Sequence, residues 1–269
     1  PDRRQLMING HLGAAMKTLR KSQLAQELRE MGERFWDAEA NICKTFFSRP
    51  RTPDEHAQWL KVQVFKEMYG SGLAPSEDGI IRGMLDTLSA QLSSVQGSNE
   101  RQEYERNLNV LREEYSHFRL FADALETASG NPVRNEDLPS WQIDEDRQLQ
   151  RIRQSIRRDE GQVGTLAIGF TEGGGSSLFA EGRNLDGDGL ALQIAAACDT
   201  VYHDELEHGE HGALELEKEL NTEGDWKRVS ELVTLICQQR LRMRYAMFGL
   251  IVDETQIASV TRGDSDPAR

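Results

Sequence analysis

The chain has 269 residues, of which 38% are hydrophobic, and its formal net charge is −13. The length allows one large domain or two, whereas the acidic charge argues against general affinity for nucleic acids, which requires a basic surface. No run of 18 apolar residues indicates a membrane span, and the charged start Pro-Asp-Arg-Arg leads to no apolar segment typical of a signal peptide. Three widely separated cysteines indicate no disulfide framework. We therefore expect a cytoplasmic protein without nucleic-acid or membrane partners.

Helical periodicity extends over nearly the whole sequence. The predicted helices cover residues 20–48, 54–70, 79–96, 100–128, 144–158, 162–182, 189–220 and 224–252. Clusters of glycine, proline and asparagine separate them, and no alternation typical of strands is present. We predict an all-α fold, with one helical-bundle domain over residues 1–260 and a disordered polar tail over residues 261–269.

Carboxylates interrupt the apolar faces of the first two predicted helices. Glu39 shares its face with Phe35 and Ile42, and Glu67 shares its face with Leu60 and Val64. Asp86, on the third helix, points away from the apolar row of that helix. Either Glu39 or Glu67 could therefore contribute one ligand to a metal site that takes its other ligands from later helices, and Glu67 is preferred.

The helix predicted for residues 100–128 carries Glu114 and His117. Residues three positions apart lie on one helix face about one turn from each other. A carboxylate and an imidazole placed in this way can bind one ion together. Glu113 lies further round the helix, where we expect it to be solvated or to support the ligands, although a shift of one residue in register would exchange it with Glu114.

The next candidate ligand is Glu172. It is followed directly by Gly173, Gly174, Gly175 and Ser176. Each glycine inside a helix costs up to about 1 kcal/mol relative to alanine. The run therefore indicates a close backbone approach, a local bulge, or space for a substrate and dioxygen. The alternative is that the helix breaks here and the glycines form a loop. Residues 173–176, together with Phe121 and Phe179, form the predicted access region.

A second Glu-x-x-His motif, Glu205 and His208, interrupts the apolar row of the helix predicted for residues 189–220. A single motif of this kind could be a buried hydrogen bond that joins two helices. Two such motifs favour a site for two metal ions, because helix bundles build dinuclear sites from paired Glu-x-x-His steps and further carboxylates. His211 lies one turn later and is either an additional ligand or a solvated or supporting histidine, and we prefer the second interpretation.

Two basic segments, Arg151–Arg158 and Arg240–Arg244, occur in the second half of the chain. Each segment is flanked by acidic residues or alternates with apolar residues. We therefore expect both segments to form solvated helix faces.

The residues Glu113–His117, Glu172 and Asp204–His208 resemble those of the ferritin-like di-iron carboxylate proteins. The order Glu-x-x-His, Glu, Glu-x-x-His is similar to that of the second, third and fourth core helices of that family, and the resemblance covers roughly residues 100–220. It implies a ferritin-like bundle with additional N- and C-terminal helices, in which Asp204 would bind and orient His117. No first-helix glutamate stands at the usual distance in the N-terminal third.

The sequence is also similar to the haem-oxygenase-like di-iron oxidases, which are seven-helix bundles with ligands on three helices. That fold would remove the need for an N-terminal carboxylate. Its last ligand helix usually carries His-x-x-x-Asp-x-x-His, whereas position 201 of this chain is Val201. The ferritin-like fold is therefore preferred.

These resemblances imply two bound iron ions, and manganese would suit the same ligands. The implied function is that of a dinuclear non-haem iron oxygenase or oxidase, which activates O2 to oxidise a small organic substrate and requires an external electron donor. One alternative is a ferroxidase, peroxidase or metal-storage protein. Another is a non-catalytic helical binding protein. The oligomeric state stays open, with a homodimer among the states considered.

Overall fold

The computed structural model describes the backbone of residues 3–73 and 78–264, and the side chains of residues 20–73, 78–205 and 214–264. The α-helices are α1 (Arg3–Phe47), α2 (Pro53–Tyr69), α3 (Ile80–Gln91), α4 (Ser98–Ser129), α5 (Asp144–Phe170), α6 (Ser176–Gly182), α7 (Gly189–Glu219), α8 (Glu223–Met247) and α9 (Glu254–Arg262). Short 3₁₀ turns cover Gly70–Gly72, Leu92–Ser94, Leu138–Trp141 and Thr171–Gly174. No strand occurs in the described residues, so the all-α prediction is confirmed.

The region around Glu172 differs from the single helix predicted for residues 162–182. Helix α5 continues through the predicted break with a kink at Gly161, whose φ of 54° is one that L side chains rarely adopt. It ends at Phe170, and the 3₁₀ turn Thr171–Gly174 and the short helix α6 follow. The glycines therefore interrupt the α-helix, but they keep a helical 3₁₀ turn and do not form an open loop.

The C-terminal boundary also differs from the prediction. Helix α9 extends to Arg262, two residues into the segment that we predicted to be a disordered tail, while residues 265–269 lie outside the described part of the chain. Asp253 caps this helix by accepting a hydrogen bond from the backbone N–H of Gln256. This cap marks the helix start that periodicity alone missed.

Helix α2 has strong local signals at both ends. Thr52 and Glu55 form a capping box at its N-terminus. Gly70, with a φ of 68°, ends the helix in the left-handed conformation that glycine adopts most easily. The next residue, Ser71, has a φ of 47°, which is uncommon for a residue with a side chain. These caps determine where Glu67, near the C-terminal end of the helix, enters the interior.

The helices pack around one core. Helix α2 packs along α4, α4 contacts α7, and α7 contacts both α6 and the Thr171–Gly174 turn. Helix α5 lies along α8, and α1 covers α6 and α8. Large side chains that are fully buried include Trp59, Leu60, Phe121, Leu125 and Ile194, and each contributes roughly 1.5–3 kcal/mol of hydrophobic free energy. Among the described residues, no helix combines the length and apolar character needed to cross a bilayer.

Candidate metal centre

Glu67, Glu114 and His117 form a compact group between α2 and α4. One ligand atom from each residue, a carboxylate oxygen or an imidazole nitrogen, lies within 4.8 Å of those of the other two. Glu67 is 8% exposed and His117 is fully buried, so ions bound here would be largely shielded from water. Two oxygen ligands and one nitrogen ligand are a donor set that suits iron, manganese or zinc.

The orientation of His117 follows from its hydrogen bond to α7. His117 Nε2 lies 2.8 Å from Asp204 Oδ2, and because the carboxylate can only accept, the imidazole donates from Nε2. The other ring nitrogen, Nδ1, then carries the lone pair. It is buried and has no hydrogen-bond partner among the described residues. A buried, unpartnered imidazole nitrogen beside two carboxylates fits a metal ligand.

Two further carboxylates enter the same space from other elements. Glu172, in the 3₁₀ turn, and Glu205, on α7, line a cavity of about 100 Å³ together with Glu67 and Glu114. A Cβ atom added at Gly175 would lie 2.7 Å from Glu205 Oε2 and 3.1 Å from the carbonyl oxygen of Glu172. The absence of a side chain at Gly175 therefore allows the Glu205 carboxylate to approach the backbone closely.

Burial raises the pKa of each of the four cavity carboxylates above the usual value of a glutamate. Burial raises the pKa of Glu114 to about 7, and the neighbouring Glu67 adds to this effect. Burial also raises the pKa of Glu205 well above its usual value, and Glu67, Glu114 and Glu172 contribute in turn. Mutually repelling buried carboxylates are stabilised by a shared cation. The electrostatics therefore fit a group of metal ligands better than a set of independent surface acids.

The two candidates for the N-terminal carboxylate occupy different surroundings. Glu67 belongs to the group described above, whereas Glu39 is buried between two arginines. Its oxygens accept hydrogen bonds from Arg240 Nη2 at 2.9 and 3.1 Å and from Arg244 Nε at 2.6 Å. Burial alone would raise the pKa of Glu39, but Arg240 and Arg244 lower it below the usual value. Glu39 therefore belongs to an ion pair beside the carboxylates.

The remaining candidate ligands are only partly described. His208 and His211 lie in a segment of α7 whose side chains are outside the described residues, so their predicted roles stay predictions. Glu113 is partly buried next to Glu114 and raises the pKa of that residue slightly, but it is not part of the group with Glu67 and His117. The structure thus brings Glu114 to the cavity and leaves Glu113 at its margin.

The predicted access region lies against the cavity. Gly175 and Phe179 line it, and Phe121 is fully buried behind Phe179, with ring centroids 5.8 Å apart. Gly174 packs so closely on Trp36 that an added Cβ atom would lie 2.5 Å from the indole ring. The Gly173 carbonyl accepts a hydrogen bond from Ser176 Oγ. These residues form a tightly packed apolar wall on the carboxylate side.

The prediction that the basic segments form solvated helix faces is wrong for three of their arginines, whereas Arg151 and Arg158 are exposed as predicted. Arg153, Arg240 and Arg244 are 2%, 5% and 2% exposed, and all three line the cavity together with Lys66. Their positions follow the buried rows of their helices: Arg153 lies between Leu149 and Ile156 on α5 at the spacing of one helix face. That spacing was the available signal, and the charge of the side chain concealed it.

Comparisons with protein-family models, with curated proteins and with solved structures each gave no significant match. The interpretation of the centre therefore depends on its own residues and their geometry.

Proposed function

We propose that this protein is a dinuclear non-haem iron oxygenase or oxidase with a ferritin-like bundle, which activates O2 to oxidise a small organic substrate. The observation that carries the proposal is the convergence of Glu67, Glu114 and His117 with Glu172 and Glu205 on one buried cavity. Helix bundles that hold two ions use this residue set, with an additional histidine on the last helix. In this chain that histidine would be His208.

The origin of the carboxylates supports a ferritin-like arrangement over a haem-oxygenase-like one. Glu67 comes from α2, Glu114 from α4, Glu172 from the turn after α5, and Glu205 from α7. Four separate elements therefore contribute, as the ferritin-like pattern requires, whereas the alternative needs only three. In this proposal Glu67 would supply the carboxylate that the ferritin-like pattern expects from the N-terminal third.

A purely structural Glu–His pair is less compatible with the contacts. That alternative accounts for the hydrogen bond between His117 and Asp204, which joins α4 to α7. It does not account for the buried Nδ1 atom of His117, which has no hydrogen-bond partner in the described structure. A binding protein without metal would leave this nitrogen unsatisfied, which is energetically costly.

The protein's own residues would prepare the site in three ways. Glu67, Glu114, His117, Glu172 and Glu205 would hold the ions, and Asp204 would keep His117 in the tautomer that offers Nδ1. Phe121 and Phe179 would exclude water from the reacting groups. When bound, two iron ions would supply the binding and reduction of O2, with electrons from an external donor, and manganese remains a chemically reasonable substitute.

Anaerobic loading with Fe(II), followed by metal analysis and by spectra after addition of O2, tests the proposal. We expect about two ions per chain and an absorption change that requires both iron and O2. Glu67→Gln and Glu114→Gln should each reduce iron uptake, whereas Glu105→Gln, an exposed substitution on the same helix as Glu114, should not. Iron uptake well below one ion per chain would refute the proposal. Formation of a shell-like oligomer that accumulates iron and oxidises no organic compound would favour storage.

A further inference from the structure

The cavity that contains the carboxylates has a second, cationic wall. Lys66 from α2, Arg153 from α5, and Arg240 and Arg244 from α8 line it together with Glu67, Glu114, Glu172 and Glu205. The three arginines are almost completely buried. Buried charges are rare in proteins unless another group compensates them, so each cation of this wall requires a partner.

Two of the four cations share one partner. Glu39 binds both Arg240 and Arg244, and Arg240 also donates to the carbonyl oxygen of Thr171. Arg244 has a further contact to Met247 Sδ at 3.1 Å. The single negative charge of Glu39 can balance only one of the two guanidinium groups. One positive charge therefore remains on this part of the wall.

The other two cations have no ion-pair partner within 4.0 Å among the described side chains. Arg153 Nη1 donates to the carbonyl oxygen of Ser71 at 3.1 Å, but Arg153 Nε is buried and has no hydrogen-bond partner in the described structure. Lys66 Nζ has a long contact of 3.4 Å to Ser71 Oγ, and that hydroxyl donates to Asp146. The carboxylate of Asp146 thus makes no direct ion pair with either cation, although its charge attracts both.

Bound metal would increase the imbalance. Two divalent ions would neutralise the four glutamates that line the same cavity. The positive charges of Lys66, Arg153, Arg240 and Arg244 would then exceed the negative charges of Asp146 and Glu39 that act on them. An anionic ligand would reduce this excess, and an arginine that has a free Nε donor is well suited to bind a carboxylate.

We propose that the substrate of this centre is a small organic acid whose carboxylate binds to Lys66 and Arg153, with its oxidised carbon towards the metal ligands. The proposal rests on the proposed function, because it assumes an occupied metal centre. The bound ions and the carboxylate end of the acid would share the cavity of about 100 Å³. Inorganic phosphate is the contrasting anion in the test.

Calorimetric titration of the Mn(II)-loaded protein with propionate, and with the neutral isostere propionamide, tests the proposal. We expect propionate to bind at least tenfold more tightly than propionamide. Arg153→Gln and Lys66→Gln should each weaken propionate binding by about tenfold or more and leave Mn(II) uptake unchanged, and Arg153→Lys should restore part of the affinity. Arg151→Gln, an exposed substitution on the same helix as Arg153, should change neither quantity.

The outcomes separate the two proposals. Failure of the wild-type protein to bind metal would overturn both. If metal uptake is normal but propionate and propionamide bind equally well, only the assignment of an organic acid is overturned. The same holds if neither variant changes the affinity for propionate. Tighter, Arg153-dependent binding of inorganic phosphate would also overturn it. If Arg153→Gln does not fold because Ser71 loses its hydrogen bond, Lys66→Gln decides, since that side chain makes only one long contact.

Discussion

Asp204 Oδ2 lies 2.8 Å from His117 Nε2, across the interface between α7 and α4. This contact connects the two helices that carry the Glu-x-x-His motifs, and it leaves the Nδ1 atom of His117 as the ring nitrogen without a hydrogen-bond partner in the described structure. It was expected from the resemblance to ferritin-like proteins, and it gives the imidazole a defined tautomer before any ion binds.

Removal of this contact should weaken metal binding. Asp204→Ala leaves the buried Nε2–H of His117 without its acceptor, so we also expect a loss of stability of about 1–3 kcal/mol. Loss of such a supporting carboxylate typically lowers metal affinity by about 10- to 100-fold. Equilibrium dialysis with Mn(II) measures this change. Asp199→Ala, an exposed substitution on the same helix, should have no effect, and equal affinities for the two variants would contradict the role of Asp204.

Substitution of Gly175 should disturb the position of a carboxylate. In Gly175→Ala the new Cβ atom would lie 2.7 Å from Glu205 Oε2, so the end of this side chain must move. A flexible side chain can move at small cost, so we expect a stability change below about 1 kcal/mol. We expect metal affinity to fall on the order of tenfold, because ligands must be held within about 0.5 Å of their required positions.

Gly169 supplies the matched control for this experiment. It lies in α5, and a Cβ atom added there would meet nothing within 4 Å. Gly169→Ala should stabilise the helix by roughly 0.5–1 kcal/mol and leave metal affinity unchanged. A loss of affinity in both variants, measured by the same dialysis, would show that the effect at Gly175 is not specific to Glu205.

The metal-free protein should become less stable as the pH rises from about 4.5 to about 7. Glu114 has a pKa of about 7 in the folded protein, raised from 4.5 mainly by burial. In this interval the native state keeps a proton that the unfolded state has lost, so the free energy of unfolding falls with increasing pH, by at most about 3 kcal/mol for this group. Glu114→Gln should reduce the pH dependence in urea denaturation. An unchanged dependence would contradict the raised pKa.

Glu39 and Glu67 should respond differently to loss of charge. Glu39→Gln would leave Arg240 and Arg244 without their carboxylate, and breaking a buried ion pair in this way costs about 3–5 kcal/mol. Metal uptake should persist under conditions in which the variant is folded. Glu33→Gln, an exposed change on the same helix, serves as the control. Loss of metal without loss of stability would indicate that Glu39 is a ligand.

The helices and the two spaced motifs were predictable because they depend on local periodicity. Glu114 and His117 are three residues apart on α4, and Glu205 occupies the same row as Ile194, Cys198 and Val201 on α7. Such patterns determine which face of a helix is buried, whatever packs against it. The sequence by itself therefore determined the helical class, most helix positions, and the central residues of the candidate centre.

Only the tertiary structure decided which side chains share the cavity. Glu39 and Glu67 both lie on apolar faces, and nothing local shows that Arg240 and Arg244 lie opposite the first while Glu114 and His117 lie opposite the second. The burial of Arg153 depends in the same way on a distant segment, since Ser71 accepts its hydrogen bond. Partners across helices are determined by how the helices pack, and periodicity along one helix contains no information about the element on the other side.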